Sequence, residues 1–131
     1  AEEQQIILQF DVTNTHLSSH IPEYELSDYL CILTENAIEA CSSGDTIYIH
    51  LDSKDGKTFY EIRNPVPRRI LQTEIHKFFE KYYSTKDSTT SKTRGLGLYH
   101  LSEQMQKVNG QLIVDCVEHE NKFWIVFCLI I

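Results

Sequence analysis

Residues Lys81–Leu101 read K-Y-Y-S-T-K-D-S-T-T-S-K-T-R-G-L-G-L-Y-H-L, a polar loop that runs into the start of a helix. After Arg94-Gly95-Leu96-Gly97-Leu98, apolar residues recur at helical spacing. A helix N-terminus carries free N–H groups and the positive end of the helix dipole, so it attracts phosphate. Glycine permits close approach of the backbone to a ligand. The stretch therefore predicts a flexible lid that ends at a phosphate-binding helix start, although an ordinary helix start fits the same pattern.

Length and composition predict one ordinary globular domain. The chain has 131 residues, of which 41% are apolar and 24% are charged. We expect residues 1–131 to form a single domain excised from a longer protein. The net charge of -7 argues against nucleic-acid binding, and no stretch is long and apolar enough to span a membrane. The cysteines lack C-x-x-C spacing, which favours free thiols in a reducing compartment.

Two segments have the periodicity of amphipathic helices. The first is Leu26–Ser43, with Ser27 as the expected N-cap. Its apolar stripe comprises Leu26, Leu30, Leu33, Ala37 and Ala40. The second is Leu98–Val108, which Asn109-Gly110 is expected to end. Glu74–Tyr83 is expected to form a short helix or part of the lid.

Alternating or continuous apolar runs predict five strands. They are Gln5–Val12, Thr46–Asp52, Thr58–Asn64, Gln111–Val117 and Lys122–Ile131. Asn64-Pro65-Val66-Pro67 is expected to stop the third strand, because proline cannot continue a central ladder. Trp124 and Phe127 are expected in the core. The order of elements predicts an α/β two-layer sandwich, with a mixed, mostly antiparallel sheet and the helices on one face.

Three polar features can face one cleft if the two long helices lie side by side. Asn36 falls at the edge of the buried stripe of the first helix, whereas Glu35 and Glu39 fit a solvated face. Asn64 lies at a strand end, and the third feature is the segment Ser84–Gly97. The amide oxygen of Asn36 suits Mg²⁺, which keeps most of its water. An edge asparagine that is satisfied by backbone fits that position equally well.

The remaining polar side chains of this cleft suit a nucleotide. Asn64 offers both a donor and an acceptor, as the edge of an adenine ring requires. Hydroxyl groups and positive charges could contact terminal phosphates. They belong to Ser84, Thr85, Lys86 and Arg94.

Three motifs in this order resemble the ATP-binding domain of sensor histidine kinases. Leu33–Ala40 (L-T-E-N-A-I-E-A) is similar to its asparagine box, and Phe79–Lys86 (F-E-K-Y-Y-S-T-K) to its phenylalanine box and lid. Arg94–Leu98 (R-G-L-G-L) is similar to its second glycine box. These kinases belong to the gyrase, chaperone, kinase and mismatch-repair ATPases, which share the Bergerat fold. The combination is most similar to the peptide-pheromone receptor kinases of Gram-positive bacteria, which serve quorum sensing.

The resemblance implies a role for each matched position. It assigns Mg²⁺ to Asn36, and it assigns backbone contacts with phosphate to Gly95, Leu96, Gly97 and Leu98. The first glycine box, usually Asp followed by G-x-G, is replaced by Asn64-Pro65-Val66-Pro67. The pheromone-receptor subgroup also tends to carry Asn there, so adenine recognition falls on Asn64. Ile32 occupies the position where hydrolysing relatives place a glutamate base, which fits phosphate transfer to a protein side chain rather than to water.

The implied function is that of a catalytic ATP-binding domain. It would bind Mg·ATP and present the γ-phosphate to a histidine on a separate dimerisation domain, with Asn36, Lys86 and Arg94 carrying catalysis. The full-length protein would be a membrane-anchored homodimer with this domain in the cytoplasm of a bacterium, and it would act on a response regulator. The alternatives are an anti-sigma-factor type serine kinase, which would usually keep the Asp-x-Gly-x-Gly box, and a degenerate interaction module.

Overall fold

A computed structural model describes residues 5–13, 21–80 and 97–131. These ranges contain five strands and three helices. The strands are β1 (Ile7–Val12), β2 (Thr46–Lys54), β3 (Lys57–Val66), β4 (Gln111–His119) and β5 (Lys122–Ile130). The helices are α1 (Glu23–Ala40), α2 (Gln72–Lys77) and α3 (Gly97–Val108). In the described ranges, every helix is too short or too polar to traverse a bilayer.

The five strands form one mixed sheet in the order β1-β2-β3-β5-β4. β1 runs parallel to β2, and the other pairs are antiparallel. Two tight hairpins form the antiparallel pairs β2–β3 and β4–β5. One turns at Asp55 and Gly56 with φ of 55° and 78°, and the other turns at Glu120 and Asn121 with φ of 53° and 64°. Two consecutive residues with positive φ match the twist of antiparallel strands. The predicted mixed, mostly antiparallel sheet is confirmed.

The core lies between one face of the sheet and the helices. Ile49 of β2 is opposite Ile62 of β3, which is opposite Phe127 of β5, so these buried residues share one face. The largest of the almost fully buried apolar side chains are Leu33, Ile47, Ile62, Leu101, Leu129 and Ile131. Complete burial of such a side chain stabilises the fold by about 1.5–3 kcal/mol. The predicted two-layer sandwich is confirmed, and all four cysteines are free thiols.

Both ends of α1 differ from the prediction. The N-cap is Pro22 rather than Ser27, and the carbonyl oxygen of Pro22 accepts hydrogen bonds from the N–H groups of Glu25 and Leu26. Pro22 has φ of -60°, which suits the start of a helix. The helix ends at Ala40 rather than Ser43, because Cys41 is already extended. Because the helix begins at Glu23, Ser27 lies inside α1 and does not cap it.

Strand β3 continues through Pro65 to Val66, so the prediction that it stops at Asn64 was wrong. The pairing with β2 ends where Tyr48 lies opposite Arg63, whereas the pairing with β5 continues with Trp124 opposite Pro65. At Pro65, therefore, β3 has a paired neighbour on one side only. A missing N–H group is tolerated at such an edge position.

Trp124 lies on the outer face of the sheet, not in the core as predicted. It alternates with Ile125 and Phe127, whose side chains face the helices. Its indole ring packs edge-to-face on Tyr48, with the ring centroids 5.5 Å apart. The expectation for Phe127 is confirmed, since that side chain is buried in the core cluster.

Helix α3 ends as predicted. Asn109 takes a left-handed conformation with φ of 59°, and the N–H group of Gly110 donates to the carbonyl oxygen of Met105 at 2.9 Å. This six-to-one hydrogen bond satisfies a carbonyl at the helix C-terminus. The chain then enters β4, so the cap fixes how α3 is joined to the sheet.

Candidate nucleotide site

The start of α3 lies beside Asn36 of α1. A Cβ atom built on Gly97, the first residue of α3, would lie 3.9 Å from Nδ2 of Asn36. It would lie 3.3 Å from Cγ2 of Ile32, one helical turn before Asn36. The Asn36 side chain and the Gly97 backbone therefore face the same side of the molecule. The first residue of α3 and the side-chain amide group of Asn36 are thus brought together.

The position of Asn36 follows from the periodicity of α1. Leu33 and Ala37 are buried, and Asn36 is half-buried at the edge of their stripe. Glu35 and Glu39 are exposed. An amide at the boundary between core and solvent keeps its oxygen accessible to a ligand while its backbone remains fixed by the helix.

Helix α1 is anchored to the sheet through Thr34, two residues before Asn36. The hydroxyl group of Thr34 donates to the carbonyl oxygen of Leu30, and its oxygen lies 2.8 Å from the Tyr60 hydroxyl of β3. Because the Thr34 proton is already used, the Tyr60 hydroxyl is the donor of that second bond. Burial raises the pKa of Tyr60, so the phenol remains protonated as this donor requires. No sequence pattern had indicated this contact.

Asn64 lies on the helix-facing side of β3 and is only 1% exposed. Its Nδ2 donates to the carbonyl oxygen of Pro65 at 3.2 Å. The amide oxygen is not used in that bond and can accept a hydrogen bond from a ligand donor such as an exocyclic amine. Asn64 is therefore a polar side chain set among the buried apolar residues of the helix-facing side of the sheet.

Helix α2 precedes the predicted lid and is held by an ion pair. The Arg68 guanidinium donates to both carboxylate oxygens of Glu74, at 2.9 and 2.6 Å. Glu74 also accepts from the N–H group of Leu71 at 3.2 Å, which caps the helix. The hydrogen bonds from Arg68, and then the one from Leu71, lower the pKa of Glu74 to about 2. The helix ends at Lys77, earlier than predicted.

Several predicted site residues lie outside the described residues. They are Ser84, Thr85, Lys86, Arg94, Gly95 and Leu96. Their assignments stay predictions. Of the predicted glycine box, Gly97 and Leu98 are described, and Leu98 packs against the core as the second residue of α3.

The side-chain oxygen of Asn36 is a suitable ligand for a magnesium ion that is bound together with a nucleotide. Within the three described ranges, no group of three or more His, Cys, Asp or Glu side chains is arranged to hold a metal ion. Mg²⁺ keeps several water ligands and commonly binds through one or two protein oxygens together with phosphates. The single oxygen of Asn36 beside a helix N-terminus is compatible with that mode of binding.

Comparisons with known proteins bear on the family and the fold of the chain. A sequence profile of the histidine kinase-, DNA gyrase B-, and HSP90-like ATPases matches residues 23–130, from the first residue of α1 to the last residue of β5. A comparison with curated protein sequences finds no match.

Solved structures share the fold. The catalytic domain of histidine kinase ThkA in a nucleotide-free form has a TM-score of 0.74 at 24% identity, covering 95% of this chain and 78% of that one. The mycobacterial sensor histidine kinase MprB has a TM-score of 0.71 at 22% identity, covering 95% and 80%. Full-length ShkA in complex with AMPPNP has a TM-score of 0.72 at 17% identity, covering 95% and 25%.

ThkA has also been solved in complex with the response regulator TrrA, with a TM-score of 0.65 at 18% identity, covering 95% of this chain and 34% of that one. At these identities the likeness establishes the fold alone. The profile match, in contrast, extends over most of the sequence and includes both α1 and α3. The chain therefore belongs to the histidine kinase-, DNA gyrase B-, and HSP90-like ATPase family.

Proposed function

We propose that this domain binds Mg·ATP and supplies the γ-phosphate for phosphorylation of a histidine on a separate dimerisation domain of a two-component sensor kinase. Membership of the ATPase family implies ATP binding. The observation that carries the proposal is the juxtaposition of Asn36 with Gly97, where an added methyl group would lie 3.9 Å from Nδ2 of Asn36. A triphosphate bound at the start of α3 would meet a metal-binding oxygen on α1.

Each part of the site has a role in this proposal. The backbone N–H groups at the start of α3 bind phosphate through hydrogen bonds and the helix dipole. The Asn36 oxygen would hold Mg²⁺, which neutralises phosphate charge when it is bound. The Asn64 oxygen would accept from the adenine amine. Phosphoryl transfer needs mainly positioning and charge stabilisation, so this small set of groups suffices together with cations from the lid.

The predicted lid and the partner domain complete the machinery. Ser84, Thr85, Lys86 and Arg94 would contact the terminal phosphates, and Lys86 and Arg94 would stabilise charge during transfer. Ile32 offers no proton acceptor beside Asn36, which disfavours activation of water. This fits phosphate transfer to a protein side chain, with residues 1–131 acting as one ATP-binding domain.

The type of kinase, its ligand and its partner are proposed from the motif resemblance and from the similar structures. ShkA was solved with AMPPNP and ThkA with a response regulator, which supports a nucleotide ligand and a response-regulator partner for this chain. The motifs favour the peptide-pheromone receptor kinases, with a membrane-anchored homodimer and this domain in the cytoplasm.

Calorimetric titration with Mg·ATP tests the proposal. The wild type should bind, and Asn36→Ala should weaken binding by at least about 10-fold, because it removes the side-chain amide to which the metal is assigned. Glu35→Ala is the matched control, since its exposed side chain lies next to Asn36 in sequence and points away from the stripe.

Binding that is absent in the wild type, or equal in Asn36→Ala and Glu35→Ala, would remove the proposal. A second step adds the histidine-bearing dimerisation domain together with Mg·ATP. Acid-labile phosphohistidine is the expected product, whereas acid-stable phosphoserine would instead select the serine kinase.

A further inference from the structure

We propose, on the basis of the proposed function, that Ile32 is a positioning residue that sets the distance between the start of α3 and Asn36. Gly97 is then a glycine because Ile32 lies against it. The geometry of the nucleotide site then depends on the combined size of the side chains at position 32 of α1 and position 97 of α3.

The distances identify Ile32 as the first obstacle to a larger residue. A methyl group on Gly97 would lie 3.3 Å from Cγ2 of Ile32 and 3.9 Å from Nδ2 of Asn36. Carbon atoms prefer separations of about 3.5–4.0 Å. A side chain at position 97 would therefore press on Ile32 while its separation from Asn36 remained an ordinary contact.

The backbone of Gly97 gives no other reason for glycine. The glycines with positive φ are Gly44 and Gly56, so among the described residues Gly97 does not need the left-handed region. Glycine at the first residue of α3 is explained by close approach, since of the groups that the structure describes beyond its own helix the closest is the Ile32 methyl.

Ile32 cannot easily move aside. It is partly buried and packs against the core cluster. Its β-branched side chain has one strongly preferred rotamer in a helix. The hydrogen bond between Thr34 and Tyr60 fixes the same part of α1 to the sheet. Helix α3 is fixed in turn by Leu101 and Met105, which are buried.

The consequence concerns the nucleotide. The separation of two packed helices follows from the side chains at their contact. A larger group at position 97 would move the first N–H groups of α3 away from Asn36, and phosphate and metal could no longer be bound together at full strength. Ile32 thus acts through α3 and does not itself contact the ligand.

The branch methyl of Ile32 provides a sharp test. Ile32→Leu keeps the volume but lacks the second branch on Cβ, whereas Ile32→Val keeps both branches. Mg·ATP affinity is measured for the wild type, Gly97→Ala, and Gly97→Ala combined with each of these substitutions. A cooperative urea transition establishes that each protein is folded.

We expect Gly97→Ala to weaken Mg·ATP binding by at least about 10-fold, as a misplaced supporting residue typically does. Addition of Ile32→Leu should restore the affinity to within about 3-fold of wild type, and addition of Ile32→Val should not. A Gly97→Ala protein that binds like wild type would overturn the inference. Equal affinities of the two double variants would also overturn it, because glycine would then be needed by the ligand itself.

Failure of the proposed function would be seen separately, as no binding by the wild type. The urea midpoints still test the contact in that case. Gly97→Ala should raise the midpoint more in the Ile32→Leu background than in the Ile32→Val background. An equal change in both backgrounds would overturn the inference independently of any nucleotide.

Discussion

The two helices on either side of the predicted lid are held by different forces. At its first residue α3 lies against α1 through close packing, with the Ile32 methyl 3.3 Å from the position of a Cβ on Gly97. Helix α2 is also packed, through the buried Ile75, but in addition it carries an exposed ion pair in which Arg68 donates to both oxygens of Glu74. Packing of this kind depends on shape and hardly on solution conditions, whereas an exposed ion pair responds to pH and salt. The proposed phosphate-binding side, at the start of α3, therefore rests on packing, which varies less with solution conditions than the ion pair of α2.

The largest loss of stability should come from removing a buried side chain of α1. Leu33→Ala removes a fully buried side chain of α1, three residues before Asn36, and should lower the free energy of unfolding by about 3 kcal/mol. Leu30→Ala is the matched control on the same helix, and its half-buried side chain should cost about half as much. Urea unfolding measures both. Equal losses would mean that α1 is not the packed platform described above.

A smaller effect should follow from removing the polar anchor of α1. Tyr60→Phe deletes the hydroxyl group that donates to Thr34 and should cost about 1 kcal/mol. Tyr48→Phe makes the same change on the outer face, where Tyr48 is 39% exposed, and should stay within about 0.5 kcal/mol of wild type. If both variants unfold at the same urea concentration, the Thr34–Tyr60 bond does not stabilise the helix.

These contacts mark the boundary of what sequence patterns could predict. The periodicity of α1 and α3 and the cap at Asn109-Gly110 are local features, and each was predicted from nearby residues. The start of α1 at Pro22 and the continuation of β3 through Pro65 depend on which strand or turn the backbone meets. Strand β5, which pairs with β3 at Pro65, is distant in sequence, so local propensity favoured a break there. The partners of Pro22 are the nearby Glu25 and Leu26, and this start was missed because Ser27 is also a residue type that favours an N-cap.

The candidate site divides in the same way. Asn36 was placed at the edge of the buried stripe by counting residues around a helix, and the structure adds that Gly97 lies beside it. Thr34 and Tyr60 are separated by 26 positions in the sequence. Arg68 and Glu74 are separated by six. Neither spacing is typical of a particular contact, so neither pair could be predicted from the sequence. Such contacts follow from the assembled fold.

The smallest effect should come from the charged anchor, and it should depend on pH. The pKa of Glu74 is lowered from its ordinary value of 4.5 to about 2, so its contribution is present above 4.5 and is lost as the pH falls through about 2. Glu74→Gln should therefore lower the melting temperature slightly at neutral pH. The difference from wild type should shrink as the pH falls between these two values.

Glu80→Gln makes the same charge change six residues further along the chain and serves as the control for Glu74→Gln. Its difference from wild type should vary less over the same pH interval. High salt should also reduce the effect of Glu74→Gln, because ions screen an exposed pair. A Glu74→Gln difference that is constant with pH would show that the ion pair does not anchor α2.

The central claim is that α1 and the start of α3 form one binding site for Mg·ATP. Nuclear magnetic resonance can follow the side-chain amide of Asn36 and the backbone amide of Gly97 in a single titration of the ¹⁵N-labelled protein with Mg·ATP. We expect both signals to shift together and to give the same dissociation constant. A titration in which only one of them moves, or in which they report different constants, would contradict the claim.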